Sequence, residues 1–225
     1  MHIAVLGTGM VGRAIAGRLY ELGHQVAIGT RDPQATLART DSDPMGNPPF
    51  SIWAGGHPGV RLSTFAEAAA GAELVVNATN GAASLDVLGL AGEATLAGKV
   101  LVDVSNPLDS SHGMPPTLFV KDTDSLGEQV QRTFPAARVV KTLNTLNADL
   151  MVHPNTLPEP TTVFVSGDDT EAKVVVTGLL HSFGHTDVID LGGIETARGP
   201  ELWLPLWLRL MGALGTAAFN LRIVR

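Results

Sequence analysis

Short apolar runs alternate along this chain with stretches in which apolar residues recur every three or four positions, and that order predicts strands alternating with helices. Ile3, Ala4, Val5 and Leu6 form the first run, Ile15, Leu19 and Leu22 follow at helical spacing over residues 10–22, and Gln25 to Gly29 reads as a second strand. Further strands are predicted over residues 60–62, 73–77, 99–104, 138–141, 161–166 and 186–189. Helices are predicted from 32 to about 39, over 64–70, after Gly81, over 125–134 and over 169–183. The alternation predicts an α/β, doubly wound domain over residues 1–225, with a mostly parallel sheet, helices on both faces and a short C-terminal helical extension over about 195–225.

Three stretches break the rhythm. Asp41 to Gly59 is rich in Pro and Gly, with Asp43-Pro44, Asn47-Pro48-Pro49 and Gly55-Gly56-His57-Pro58, and reads as a surface loop. It is either a flap over an active site, carrying Phe50 and Trp53, or an insertion with no catalytic part. Leu108 to Thr123 lacks periodicity and contains Met114-Pro115-Pro116, so a second loop that could cover a substrate is expected there. Glu201 to Phe219 concentrates Trp203, Leu204, Leu206, Trp207, Leu208, Leu210, Met211 and Leu214. Glu201, Pro205 and Arg209 interrupt it too often for a membrane span. An interface in a homodimer is favoured over a buried core helix.

The first strand runs directly into Gly7-Thr8-Gly9-Met10-Val11-Gly12, which opens the first helix. Strand, G-x-G-x-x-G and helix in that order make the Rossmann dinucleotide fingerprint. Gly7 permits the tight turn, Gly9 lets a pyrophosphate approach the backbone, and Gly12 lets helix and strand pack closely. The helix N-terminus would meet the pyrophosphate with unpaired N–H groups. The second strand ends in Thr30-Arg31, where an NAD-binding protein commonly carries an acid for the ribose hydroxyls. Arg31 suits a 2′-phosphate, and Thr30 adds a hydroxyl, so NADP is favoured over NAD. Asp32 is the competing NAD-type acid, but Pro33 after it suggests a helix N-cap instead.

Three polar loops follow predicted strands, and in a doubly wound fold they share the carboxyl edge where ligands bind. They are Ala78-Thr79-Asn80-Gly81, Ser105-Asn106-Pro107 and Thr142-Leu143-Asn144-Thr145-Leu146-Asn147. Ala78, Thr79 and Asn80, with Ser105, Asn106, Pro107, Leu143 and Asn144, are expected to border the ribose and nicotinamide.

Composition narrows the function classes. The chain has 44% hydrophobic and 16% charged residues, 25 glycines and no cysteine, which fits a globular α/β protein and excludes disulfides and thiolate chemistry. A net charge of −7 argues against nucleic acid or an anionic membrane as partners. The start on a strand, with no basic leader, makes the cytoplasm the expected location. Seven scattered histidines give no metal-ligand spacing, and His181 and His185 read as structural.

The residues resemble the NADPH-dependent reductases of the deazaflavin coenzyme F420, and the related cytosolic domain of transmembrane ferric reductases. The resemblance covers nearly the whole chain. It rests on Gly7 to Gly12, Leu22-Gly23-His24, Gly29-Thr30-Arg31, Val140-Lys141-Thr142-Leu143-Asn144-Thr145, Val163-Phe164-Val165-Ser166-Gly167-Asp168, Asp190-Leu191-Gly192 and Ala197-Arg198. It implies hydride transfer between NADP(H) and a deazaflavin or flavin, with coenzyme F420 as co-substrate. Two departures stand out: the insertion at 41–59, and Gln34 and Ala35 where a second basic residue often follows the Arg.

Hydride transfer between two carriers needs orientation more than acid–base help, so no catalytic side chain is expected. Lys141 and Arg198 are candidates for neutralising an acidic substrate or its reduced anion; alternatively Lys141 caps a strand edge and Arg198 pairs with a carboxylate. Two other functions stay open. One is an NADPH-dependent reductase of a flavin or a small imine or carbonyl substrate, which would want a proton donor, and the only tyrosine, Tyr20, lies in the first helix. The other is a non-catalytic NADP sensor.

Overall fold

The computed structural model describes residues 1–43 and 46–225. Its strands are β1 His2–Leu6, β2 Gln25–Thr30, β3 Arg61–Thr64, β4 Leu74–Asn77, β5 Val100–Asp103, β6 Leu108–Asp109, β7 Thr117–Leu118, β8 Arg138–Thr142, β9 Thr162–Ser166 and β10 Asp187–Gly192. Eight of them form one sheet in the order β10-β9-β8-β5-β4-β1-β2-β3. From β3 to β8 every pair is parallel; β8 and β9 are antiparallel, and β9 and β10 run parallel to each other. The fold is the Rossmann-type, mostly parallel α/β arrangement. Chain order reverses between β1 and β4, and the crevice there is the switch point where ligands bind such sheets.

The helices are α1 Met10–Glu21, α2 Pro33–Ala38, α3 Phe50–Gly55, α4 Phe65–Ala70, α5 Ser84–Ala91, α6 Glu93–Leu96, α7 Leu126–Thr133, α8 Ala148–Val152, α9 Thr170–Phe183, α10 Arg198–Leu202 and α11 Leu204–Leu214. Side chains alternate across the sheet. Ile3 and Val5 of β1 pack with Ile15 and Leu19 of α1, Leu150 of α8 and Val176 of α9, whereas Ala4 and Leu6 pack with Phe65 of α4, Leu88 of α5 and Val130 of α7. Local signals set several boundaries. Thr64 and Glu67 make a reciprocal capping box at α4, and Gly184, left-handed at φ 110°, ends α9.

Three expectations change. Residues 41–59 are not all loop, because Phe50–Gly55 is helical and the Phe50 ring, 4% exposed, belongs to the core. Trp53 stacks on His57 at 4.1 Å, and His57 lies against Gly17 of α1, so Trp53 packs on the first helix, whereas Phe50 borders the space beside the glycine turn. Of the breaker pairs in that stretch, Pro44 lies outside the described residues. Residues 108–123 contain the two-stranded ribbon β6–β7, too short to register as periodicity. The C-terminal run divides into α10 and α11, followed by a tail that returns to the sheet, where the Thr162 N–H donates to the Leu221 carbonyl at 2.9 Å. No helix among the described residues is long and apolar enough to cross a membrane.

Candidate functional site

The glycine turn takes the shape its sequence requires. Gly7 sits at φ 123°, and a Cβ there would lie 2.5 Å from the Ala78 carbonyl oxygen. A Cβ on Gly12 would fall 2.0 Å from the Gly7 carbonyl oxygen. Gly9 has open space where its side chain would be, and as N-cap of α1 it leaves the first-turn N–H groups without a side-chain acceptor. An open backbone cradle with uncapped donors is what a pyrophosphate needs, so these residues fit a dinucleotide. Gly9 and Met10 are exposed, with Thr8 and Val11 half-buried beside them.

Arg13 ties this turn to the 46–55 segment. Its Nε donates to the Thr8 carbonyl at 2.8 Å, Nη1 donates to the Pro48 carbonyl, and the guanidinium lies 5.6 Å over the Phe50 ring. Burial lowers its pKa, partly offset by Asp43. Thr8, Gly9, Arg13, Thr36, Arg39 and Phe50 border a cavity of about 520 Å³ beside the turn. A larger cavity of about 700 Å³ lies among His2, His24, Gln25 and Arg61, at the amino ends of β1, β2 and β3, the edge away from the turn.

At the end of β2, Arg31 is exposed and Asp32 caps α2, its carboxylate accepting from the Ala35 N–H at 2.9 Å. Thr30 differs from expectation. It is 8% exposed, and its hydroxyl lies 2.9 Å from that of Thr36, whose own proton goes to the Asp32 carbonyl. The Thr30 proton is therefore used inside the fold, not offered to a phosphate.

The three polar loops meet along one edge. Gly81 is so close to the next loop that a Cβ would sit 1.9 Å from the Asn106 carbonyl oxygen. Asn106 Nδ2 donates to the Asn144 carbonyl at 3.1 Å, and Asn144 Nδ2 donates to Asn106 Oδ1 at 3.1 Å and to the Pro200 carbonyl at 3.1 Å. Gly7 thus closes on Ala78, and Gly81 on Asn106, whose amide is tied through Asn144 to Pro200. Asn80 is exposed and Ala78, Thr79 and Asn106 are half-buried, but Ser105, Pro107, Leu143 and Asn144 are buried. The hydroxyls of Thr79 and Ser105 turn inward, to Asn77 Oδ1 at 2.6 Å and Asp103 Oδ1 at 2.7 Å. Leu143 is left-handed at φ 58°, costly for a branched side chain.

Beneath these loops lies a buried ionic network that the sequence reading missed. Lys141 is 1% exposed, and its ammonium meets Asp103 Oδ2 at 2.8 Å, Glu201 Oε1 at 2.9 Å and the Ser105 carbonyl at 2.6 Å. Burial pushes its pKa down, but Asp103 and Glu201 outweigh that and raise it overall. The Glu201 carboxylate also accepts from the Leu126 and Gly127 N–H groups at 2.8 and 3.0 Å, where the helix dipole of α7 is positive. Lys141 therefore cannot reach a substrate. Its burial, required to satisfy two interior carboxylates, corrects the expectation. The signal was present: Asp103 ends the otherwise apolar β5, Lys141 follows Val139 and Val140 in β8, and the two are register partners. Arg198 is likewise engaged, pairing bidentately with Glu128 at 2.6 and 2.8 Å, and that contact is the main cause holding the Glu128 pKa low.

Comparison with known proteins is consistent with this geometry. Residues 2–107 match the family model described as NADP oxidoreductase, coenzyme F420-dependent. The F420-dependent NADP reductase of Methanothermobacter marburgensis is 30% identical over 214 residues, covering 93% of this chain and 92% of that protein. Rat metalloreductase STEAP3 is 30% identical over 211 residues, 91% of this chain, which spans 37% of that protein's length. A crystal structure from Arthrobacter sp. FB24, of a protein provisionally named an F420-dependent NADP reductase, is 63% identical, covers 100% of both chains and superposes with a TM-score of 0.95. The chain belongs to the family of coenzyme F420-dependent NADP oxidoreductases.

Proposed function

We propose that this chain transfers a hydride between NADPH and a deazaflavin of the coenzyme F420 kind, its small-molecule partner. The observation that carries the reading is the chemistry of the carboxyl edge. Among the described residues, its polar side chains at the nicotinamide half include the amides of exposed Asn80 and half-buried Asn106, the latter with one N–H and one oxygen lone pair left over from its bonds to Asn144, while Lys141, Asp103 and Glu201 lie buried against one another. Such an edge orients rings and supplies no proton donor at a reacting atom, which suits transfer between two carriers. Reduction of an imine or carbonyl would call for an acid, and Tyr20 stands far off, against Gly59 beside the amino-edge cavity. The names of the Methanothermobacter and Arthrobacter relatives support the same reading.

In this account Gly7, Thr8, Gly9 and Gly12, with the N–H groups of Met10 and Val11, hold the pyrophosphate. Arg31 holds the 2′-phosphate, and Ala78, Thr79 and Asn80 border the ribose. Asn106 presents an amide to the nicotinamide carboxamide, a group of the same donor and acceptor pattern. When bound, NADPH supplies the hydride from nicotinamide C4, and the deazaflavin receives it at C5. Residues 1–225 act as one NADP-binding unit. The extension pairs two copies through α11, which buries only Leu204 within its own chain and leaves Leu206 and Leu214 49% and 57% exposed.

The test is a spectrophotometric assay of purified protein with NADPH against oxidised F420, with FMN, FAD and NADH as controls. Rapid loss of deazaflavin absorbance with NADPH, and little with NADH, is the expected result. Tight NADPH binding with no turnover of F420 would overturn it.

A further inference from the structure

We propose that α10 positions the nicotinamide half of the site, with Asn144 and Glu201 as positioning residues that orient Asn106 without touching the cofactor. This rests on the binding of NADPH along the carboxyl edge, not on the identity of the acceptor. Two links leave α10. From Pro200, the carbonyl takes one Asn144 proton, and the other goes to Asn106 Oδ1. Both donors of Asn144 are thereby used, and at 2% exposure its side chain works as a brace. Asn106 is gripped at both ends of its amide, since its Nδ2 also donates to the Asn144 carbonyl.

From Glu201, the carboxylate holds Lys141 at 2.9 Å, and Lys141 holds the Ser105 carbonyl, the residue just before Asn106. Asp103 closes the loop by accepting from both Lys141 and Ser105. The orientation of Asn106 is therefore fixed from both sides by one five-residue helix. The left-handed Leu143, φ 58° and buried, sits between the two links and is held in a conformation it would not choose alone. Neither link reaches the turn at Gly7 to Gly12 or Arg31. Disturbing α10 should loosen the nicotinamide ring and spare the adenosine half.

The probes are NADPH, whose nicotinamide fluorescence reports how firmly that ring is held, and 2′,5′-ADP, which carries the 2′-phosphate and no nicotinamide. For Glu201→Gln and Asn144→Ala, the dissociation constant of 2′,5′-ADP should stay within about twofold of the parent, while that of NADPH rises about threefold to tenfold. The fluorescence lifetime of bound NADPH should shorten in both. Equal losses for the two ligands, or an unchanged lifetime, would overturn the proposal. Should either variant fail to fold, hydrogen exchange on the unaltered protein decides. NADPH should slow exchange across residues 198–204 and 2′,5′-ADP should not, and identical protection by both would contradict the assignment. If the unaltered protein binds 2′,5′-ADP but not NADPH, the cofactor reading itself fails.

Discussion

The two halves of the carboxyl edge are built on different principles. The adenosine half is local. Its turn, helix start and Arg31 lie within the first 31 residues, its donors are backbone N–H groups, and its key side chain is exposed. The nicotinamide half is assembled from strand ends and loops far apart in sequence, such as Lys141 and Asp103, 38 positions apart, and Leu126 and Glu201, 75 apart. Its polar groups are mostly buried and satisfy one another. A short motif can hold phosphates with backbone geometry, whereas fixing a ring's orientation here takes a network whose members depend on each other.

If that contrast is right, the largest single effect on stability should come from the network. Lys141→Met removes the cation between two interior carboxylates and should cost about 3–5 kcal/mol of unfolding free energy, read from urea denaturation. A loss under about 1 kcal/mol would mean that the carboxylates become protonated or hydrated at little cost, and the network would lose its structural role. Gly12→Ala probes the opposite half. With the Gly7 carbonyl oxygen 2.0 Å from the new Cβ, neither side able to yield except by moving backbone, NADPH affinity should fall more than about a hundredfold in a fluorescence titration. Near-normal affinity would show that the turn adapts.

A finer test separates the two cofactors within the adenosine half. Arg31→Ala should weaken NADPH about tenfold to a hundredfold and leave NADH nearly unchanged, because only the former carries the phosphate that a guanidinium can grip. Equal losses would sink the 2′-phosphate assignment. The same titration on Thr30→Val should show little change, since that hydroxyl already serves Thr36.

The smallest effect lies outside both halves. His185 is 2% exposed, and burial holds its pKa below the ordinary value, helped by His181 and opposed by its bond to the Met151 carbonyl. The folded state thus favours the neutral ring. Its contribution is fully present above the unfolded-state pKa of about 6.5 and is lost as pH falls from there through the lowered folded value. Melting temperatures between pH 7.5 and 5 should drop less in His185→Gln than in the parent. Parallel slopes would show that this ring does not titrate with folding.

The contrast also explains what could be read from the sequence. The alternation of apolar runs with helical spacing gave the order of the main strands, and the Gly7 to Gly12 turn and the capping role of Asp32 were legible because each depends on neighbours within a few positions. Helix α3 was hidden among Pro and Gly residues, since six residues are too few for a period to declare itself, and Phe50 reaches the core by tertiary packing. The reversed direction of β9 had no local mark. Lys141 was singled out as a cation for an acidic substrate or a strand-edge cap, but its partners could be named only once β5 lay beside β8 and α10 had folded back over α7.

The most direct measurement of the central claim uses NADPH deuterated at nicotinamide C4 with oxidised F420 in ordinary water, and mass spectrometry of the recovered deazaflavin. Direct transfer predicts one deuterium at the deazaflavin C5, delivered without exchange. Reduced F420 carrying only solvent hydrogen, or no reduction beside intact NADPH binding, would contradict it.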